Sequence, residues 1–159
     1  MRAHFWLLLV VLVACTPQTP ATDTPAFSLD QASSSTLRVV SVSGDDLSSG
    51  SGVAVAPNIV LTNRHVVANA LQDGLNFQVY VFDNNPRFPR RVNAIIAQDP
   101  RLDLAILYVR GITSTPVQLA LAPPDQLDQV TALGFPAATD EVFDRIQENA
   151  SATTGQVTA

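Results

Sequence analysis

Gly50-Ser51-Gly52-Val53-Ala54-Val55-Ala56-Pro57-Asn58-Ile59-Val60-Leu61-Thr62-Asn63-Arg64-His65-Val66-Val67 is the stretch that decides the fold. It reads as a Gly-broken apolar strand, a Pro-Asn turn, a second apolar strand, and a histidine at that strand's end. Short runs rich in β-branched residues and bounded by Gly, Pro and Asn favour the extended pleated chain. Only Val66–Leu71, which follows, looks briefly helical.

The same texture extends in both directions. Leu37–Val42, Gly52–Ala56, Ile59–Thr62, Phe77–Phe82, Val92–Ala97, Leu104–Val109 and Val130–Gly134 read as strands. In Phe77–Phe82, Phe77, Val79 and Val81 share one face and Gln78, Tyr80 and Phe82 the other, the period-two signature of a strand. Pro57-Asn58, Asp83-Asn84-Asn85-Pro86 and Pro123-Pro124-Asp125 supply turn chemistry between the runs. No segment sustains a helical period, and no internal repeat is present. The expectation is an all-β barrel or sandwich.

Composition narrows the function. The chain has 159 residues, 14% charged, with a formal net charge of -5. All of its basic residues are arginine, and none form a basic run. Nucleic-acid binders cluster positive charge to displace phosphate counterions, so that class is excluded. One cysteine excludes an internal disulfide framework and a Cys-rich zinc site. His4 and His65 are the only histidines, too few for a metal centre, and no cofactor is expected.

His65 ends a strand, a rigid place from which to aim a side chain. Farther on, Asp103 stands directly before Leu104-Ala105-Ile106-Leu107-Tyr108-Val109, a run apolar enough to be buried on both faces. A carboxylate at that boundary is costly without a partner, and an imidazole suits it. Asp99, before Pro100, reads as a turn former.

These segments resemble the trypsin/chymotrypsin-fold serine proteases, and most of all the bacterial HtrA/Deg branch. Gly50–Val55 followed by Val60-Leu61-Thr62-Asn63-Arg64-His65-Val66-Val67 is similar to that branch's catalytic-histidine motif. Asp99 to Leu107 is similar to its catalytic-aspartate motif, Leu133-Gly134-Phe135-Pro136 to the opening of its second barrel, and Thr154–Ala159 to the strand that follows. The resemblance implies a trypsin-like double β-barrel, with the first barrel over residues 37–124 and the start of an incomplete second over 125–159. It implies His65 as general base and Asp103 as the acid that orients it, acting on a peptide or unfolded protein.

The departure is large. The family's nucleophile lies in a Gly-Asn/Asp-Ser-Gly-Gly motif that this sequence does not contain, and the same motif builds the oxyanion hole. Ser49 and Ser51 precede His65 in a Gly-rich strand used for packing, Ser151 belongs to a chance glycosylation sequon, and no Gly-x-Ser-x-Gly elbow occurs. The expectation is therefore the N-terminal part of a serine endopeptidase, inactive alone. The alternative is a non-catalytic binding or interaction lipoprotein on a degenerate protease scaffold.

The N-terminus gives the address. A basic Arg2 and nine apolar residues, Phe5 to Val13, form a secretory signal too short to span a membrane. It ends in Leu12-Val13-Ala14-Cys15, which resembles the lipobox of bacterial lipoproteins. The resemblance implies cleavage after residue 14 and lipidation of Cys15. The chain would then be exported and held on a membrane of the bacterial envelope, facing the periplasm or the exterior. Residues 15–36, rich in Thr, Ser and Pro, read as the lipidated cysteine and a disordered tether.

Overall fold

The computed structural model describes residues 28–72, 78–83, 88–135 and 150–158. The fold is all-β, as the alternating apolar runs require. Among the described residues nine strands form two sheets: β1 Thr36–Ser43, β2 Asp46–Ala56, β3 Ile59–Asn63, β4 Gln78–Phe82, β5 Arg90–Arg91, β6 Ala94–Asp99 and β7 Leu104–Tyr108 in one, and β8 Gln129–Gly134 with β9 Ser151–Gln156 in the other. Every pairing is antiparallel.

The larger sheet runs β5-β4-β1-β2-β3-β7-β6. Its two ends, β5 and β6, are separated in sequence only by Val92 and Asn93. Val92 N–H donates to Val79 O in β4 at 2.8 Å, and Asn93 N–H donates to Tyr108 O in β7 at 2.9 Å. One continuous segment thus pairs with β4 at one side of the sheet and with β7 at the other, and the sheet curls round into a barrel. Inside it Val39, Ala54, Val60, Val79, Val81, Ala105, Leu107 and Val109 are fully buried. The period-two face read over Phe77–Phe82 is therefore the core face at Val79 and Val81; Phe77 lies outside the described residues.

The glycines of the opening stretch allow close approach. A Cβ at Gly52 would stand 2.8 Å from a Val60 methyl and 2.9 Å from a Val39 methyl. One at Gly50 would stand 2.5 Å from a methyl of Val66. Val66 belongs to the 3₁₀ turn Arg64–Val67 that carries His65, so the space at Gly50 seats that turn against β2.

The smaller sheet is a hairpin leaning on the barrel. Phe135 N–H donates to Ser51 Oγ at 2.7 Å, tying the end of β8 to β2. A Cβ on Gly134 would come within 2.8 Å of that oxygen, which accounts for the glycine in Leu133-Gly134-Phe135. This is the order the resemblance implies, a first barrel followed by the opening strands of a second sheet.

Several boundaries differ from those read in the sequence. Strand β2 begins at Asp46, six residues early, because the β1–β2 hairpin turns at Gly44 in a left-handed conformation (φ 57°) and pairs Ser43 with Asp46. The run Val92–Ala97 becomes β6, shifted to Ala94–Asp99 with a register shift between Ile95 and Ala97, and the two-residue strand β5, Arg90–Arg91, precedes it. Strand β9 lies three residues before the expected Thr154–Ala159. The tether read over residues 15–36 is ordered at its end: α1, Leu29–Ser35, starts on a capping box in which Ser28 and Gln31 satisfy each other's backbone N–H groups. Ser35, fully buried, donates its hydroxyl to Thr115 O, which docks the helix on the barrel.

Candidate active site

Register brings His65 and Asp103 together. In the β3–β7 pair Asn63 faces Leu104, so the residues just past the end of β3 meet those just before β7. His65 sits in the 3₁₀ turn, held there because Val66 and Val67 are buried beneath it. Asp103 occupies the turn between β6 and β7 in a left-handed conformation (φ 52°), which a short polar side chain adopts more readily than most.

The Asp103 carboxylate binds His65 twice. Oδ1 accepts the backbone N–H of His65 at 2.9 Å, and Oδ2 lies 2.6 Å from the ring Nδ1. An ionised carboxylate only accepts, so the proton in the second contact belongs to Nδ1. Its carbonyl accepts Arg64 N–H at 3.0 Å, and the Asn63 amide donates both to that carbonyl, at 3.2 Å, and to Oδ2, at 3.3 Å. Asp103 is held below the ordinary carboxylate range, first by the ring hydrogen bond from His65 and then by His65's backbone N–H. The His65 charge and the Asn63 amide add to this, while partial burial opposes it.

The pair is open to solvent: the His65 side chain is 69% exposed and that of Asp103 44%. Among the described residues no side chain hydrogen-bonds His65 Nε2. That nitrogen, the acceptor of the tautomer Asp103 selects, is the atom able to take a proton from an incoming group.

The other candidates are accounted for. Asp99 Oδ1 accepts Arg101 N–H at 2.8 Å and Leu102 N–H at 3.2 Å, a turn-forming role beside the pair. Ser49 Oγ accepts from Arg38 Nε at 3.2 Å. Arg38 is buried, and burial lowers the proton affinity of its guanidinium. Ser51 is engaged with Phe135. Among the described residues no group of three or more His, Cys, Asp or Glu side chains forms a metal site. Cys15 and the signal segment lie outside the described residues.

A closed antiparallel barrel with a His–Asp couple at one rim, followed by a hairpin that begins a second sheet, defines the N-terminal half of a double-barrel peptidase fold. The chain belongs to the trypsin-like peptidase domain family, which it matches over residues 50–159. It is 27% identical over 126 residues to the serine proteases MT3772 and Rv3671c of two Mycobacterium tuberculosis strains, an alignment covering 79% of this chain and 30% of each relative. Its structure is similar to the active form of the M. tuberculosis Rv3671c protease, with a TM-score of 0.64 and 26% identity over 94% of this chain and 61% of that one. It shares its fold with Deg5, at a TM-score of 0.63 and 22% identity, over 82% of this chain and 60% of that one. The chain thus spans about a third of the length of the curated relatives it matches.

The sequence singled out His65 and Asp103, which the structure brings into contact, but not Asn63, whose amide also bonds Asp103. The signal was present: Asn is a preferred residue at the position preceding a helical turn, yet here its side chain makes no bond to the turn it precedes.

Proposed function

We propose that this chain is the N-terminal part of a serine endopeptidase in which His65 is the general base and Asp103 orients it. The observation that carries this reading is the double hold of Asp103 on His65, through the backbone N–H and through Nδ1, on a side chain that is 69% exposed. In the reaction Nε2 takes the proton of a serine hydroxyl as that oxygen attacks a peptide carbonyl, and later delivers it to the leaving amine. Asp103 holds the Nδ1–H tautomer and stabilises the imidazolium without taking its proton. The serine and the oxyanion-hole N–H groups are assigned to sequence beyond Ala159, in keeping with the share of its relatives that the chain spans.

Residues 1–14 are read as a signal peptide, Cys15 as a lipidated N-terminus that anchors the protein to an envelope membrane, and the residues up to about 27 as a tether. Peptides or unfolded proteins are the proposed substrates. Globomycin treatment should raise the apparent mass of the mature form if Cys15 is processed as a lipoprotein; an unchanged mass contradicts the anchor.

Two measurements test the catalytic reading. Translation of the coding DNA past Ala159 should yield a Gly-Asn/Asp-Ser-Gly-Gly segment. The native protein should react with a fluorophosphonate probe and lose that reaction on His65→Ala. Absence of the motif in every frame, with no labelling, favours a non-catalytic lipoprotein on the same scaffold. Labelling that persists in His65→Ala removes His65 as the base.

A further inference from the structure

We propose that Asn63 is a positioning residue for the His65–Asp103 couple, its side-chain amide fixing the Asp103 carboxylate so that Oδ2 faces the imidazole. This deepens the reading of the couple as an acid–base pair and rests on it.

The geometry consists of exchanged caps. Asn63 is the residue before the 3₁₀ turn Arg64–Val67, with extended backbone (φ -75°, ψ 141°), the place from which an Asn ordinarily accepts an N–H of the turn it starts. It makes no such bond. The two N–H groups at the head of the turn are taken instead by Asp103 across the strand pair: Arg64 N–H by the carbonyl and His65 N–H by Oδ1. Asn63 is thereby released to act as a donor, and both of its bonds return to Asp103, at the carbonyl and at Oδ2. Donor and acceptor have changed partners between two loops.

The consequence is orientational. A carboxylate on a left-handed residue, more than two-fifths exposed, has rotational freedom about its terminal torsion. Oδ1 is fixed by one backbone N–H. The ring contact alone cannot fix Oδ2, because the imidazole is itself the group to be positioned. Asn63 supplies a donor that does not take part in the proton transfer and stands on a strand residue held in register opposite Leu104. It also draws charge from Oδ2, which keeps the proton of the couple on the ring side. The Asn63 side chain is exposed, so the role does not depend on a buried packing position.

The test is read by NMR on the full chain carrying His4→Gln, so that His65 is the single imidazole. Asp103 is followed through its carboxyl carbon during an acid titration, and His65 through its ring nitrogens at neutral pH. Asn63→Leu should raise the Asp103 titration midpoint and lower the fraction of neutral His65 that carries its proton on Nδ1. Asn63→Asp, equal in shape but with a second carboxylate in place of the donor, should raise the midpoint further. Asn63→Gln, which keeps an amide on a longer exposed stem, should recover part of the Nδ1–H population. Methyl dispersion of the barrel valines shows whether each variant is folded; should Leu disturb it, the Asp and Gln variants carry the comparison. Wild-type readings in the Leu and Asp variants, or a Gln variant displaced as far as Leu, overturn the proposal. The readings do not require hydrolysis, so they fail or succeed separately from the peptidase assignment.

Discussion

The barrel and the hairpin are built from the same kind of strand, yet they differ in how much of each is buried. In the barrel, alternate residues of β3, β4 and β7 are buried, β1 is buried without a break from Leu37 to Ser41, and the segment Arg90–Asp99 pairs with both β4 and β7. In the hairpin every residue of β9 is exposed, as are Val130 in β8 and Leu127 and Leu121 in the segment leading to it. A two-stranded sheet without a covered face is marginal on its own. The difference shows where rigidity resides: His65 and Asp103 both hang from the closed unit, one strand apart, and neither depends on the hairpin for its place.

Core truncation should break this contrast most strongly. Leu107→Ala, at a side chain with no exposure inside the barrel, should cost about 2–5 kcal/mol. Val130→Ala, in the hairpin, should stay within about 0.5 kcal/mol. Paired denaturant melts measure both, and equal losses would mean that the hairpin is as integral as the barrel. Next comes Gly50→Ala. The added methyl meets Val66 Cγ2 at 2.5 Å, and overpacking of this kind costs about 1–3 kcal/mol. Because Val66 adjoins His65, the expected displacement is local, and His65 resonances should shift more than those of the hairpin.

The smallest effect is the pH dependence carried by Asp103. Its carboxyl is depressed in the folded chain, so the fold favours the charged form. That contribution is fully present above the unfolded carboxyl value of about 3.9 and is lost as pH falls through the lower folded value. Asp103→Asn should therefore be less stable than wild type at neutral pH, with the gap closing in acid. Melts across that range check the sign, and a gap that widens on acidification contradicts it.

The parts of the molecule legible in the sequence are those whose side chains are sorted by burial. Val79 and Val81 alternate with Gln78 and Tyr80 because one face meets the core, and the pattern survives in the letters. Asp46–Ser51 carries no such pattern. It is a strand only because β1 lies beside it in register, a long-range fact that local propensity cannot express. Strand β9 was displaced for the same reason, having no buried face to mark its ends. Helix α1 was hidden by composition: its run Ser33-Ser34-Ser35 suggested a tether, while Ser28 and Gln31 three residues apart were its starting signal.

At the site, His65 and Asp103 were marked by their motifs, and the β3–β7 register explains how residues 38 apart in sequence come to share a hydrogen bond. Asn63 was invisible as a functional residue because its role lies in which partner it lacks. Only a structure shows that the cap it would ordinarily make has been given to Asp103.

The most direct measurement is the tautomer of neutral His65 in this chain, read from its ring nitrogens, in wild type and in Asp103→Asn. A closed first barrel that presents a formed couple on its own requires the proton on Nδ1 in wild type, with a shift toward Nε2–H, the form free imidazole side chains favour, in the variant. An Nε2–H ring in wild type, unmoved by Asp103→Asn, would contradict it.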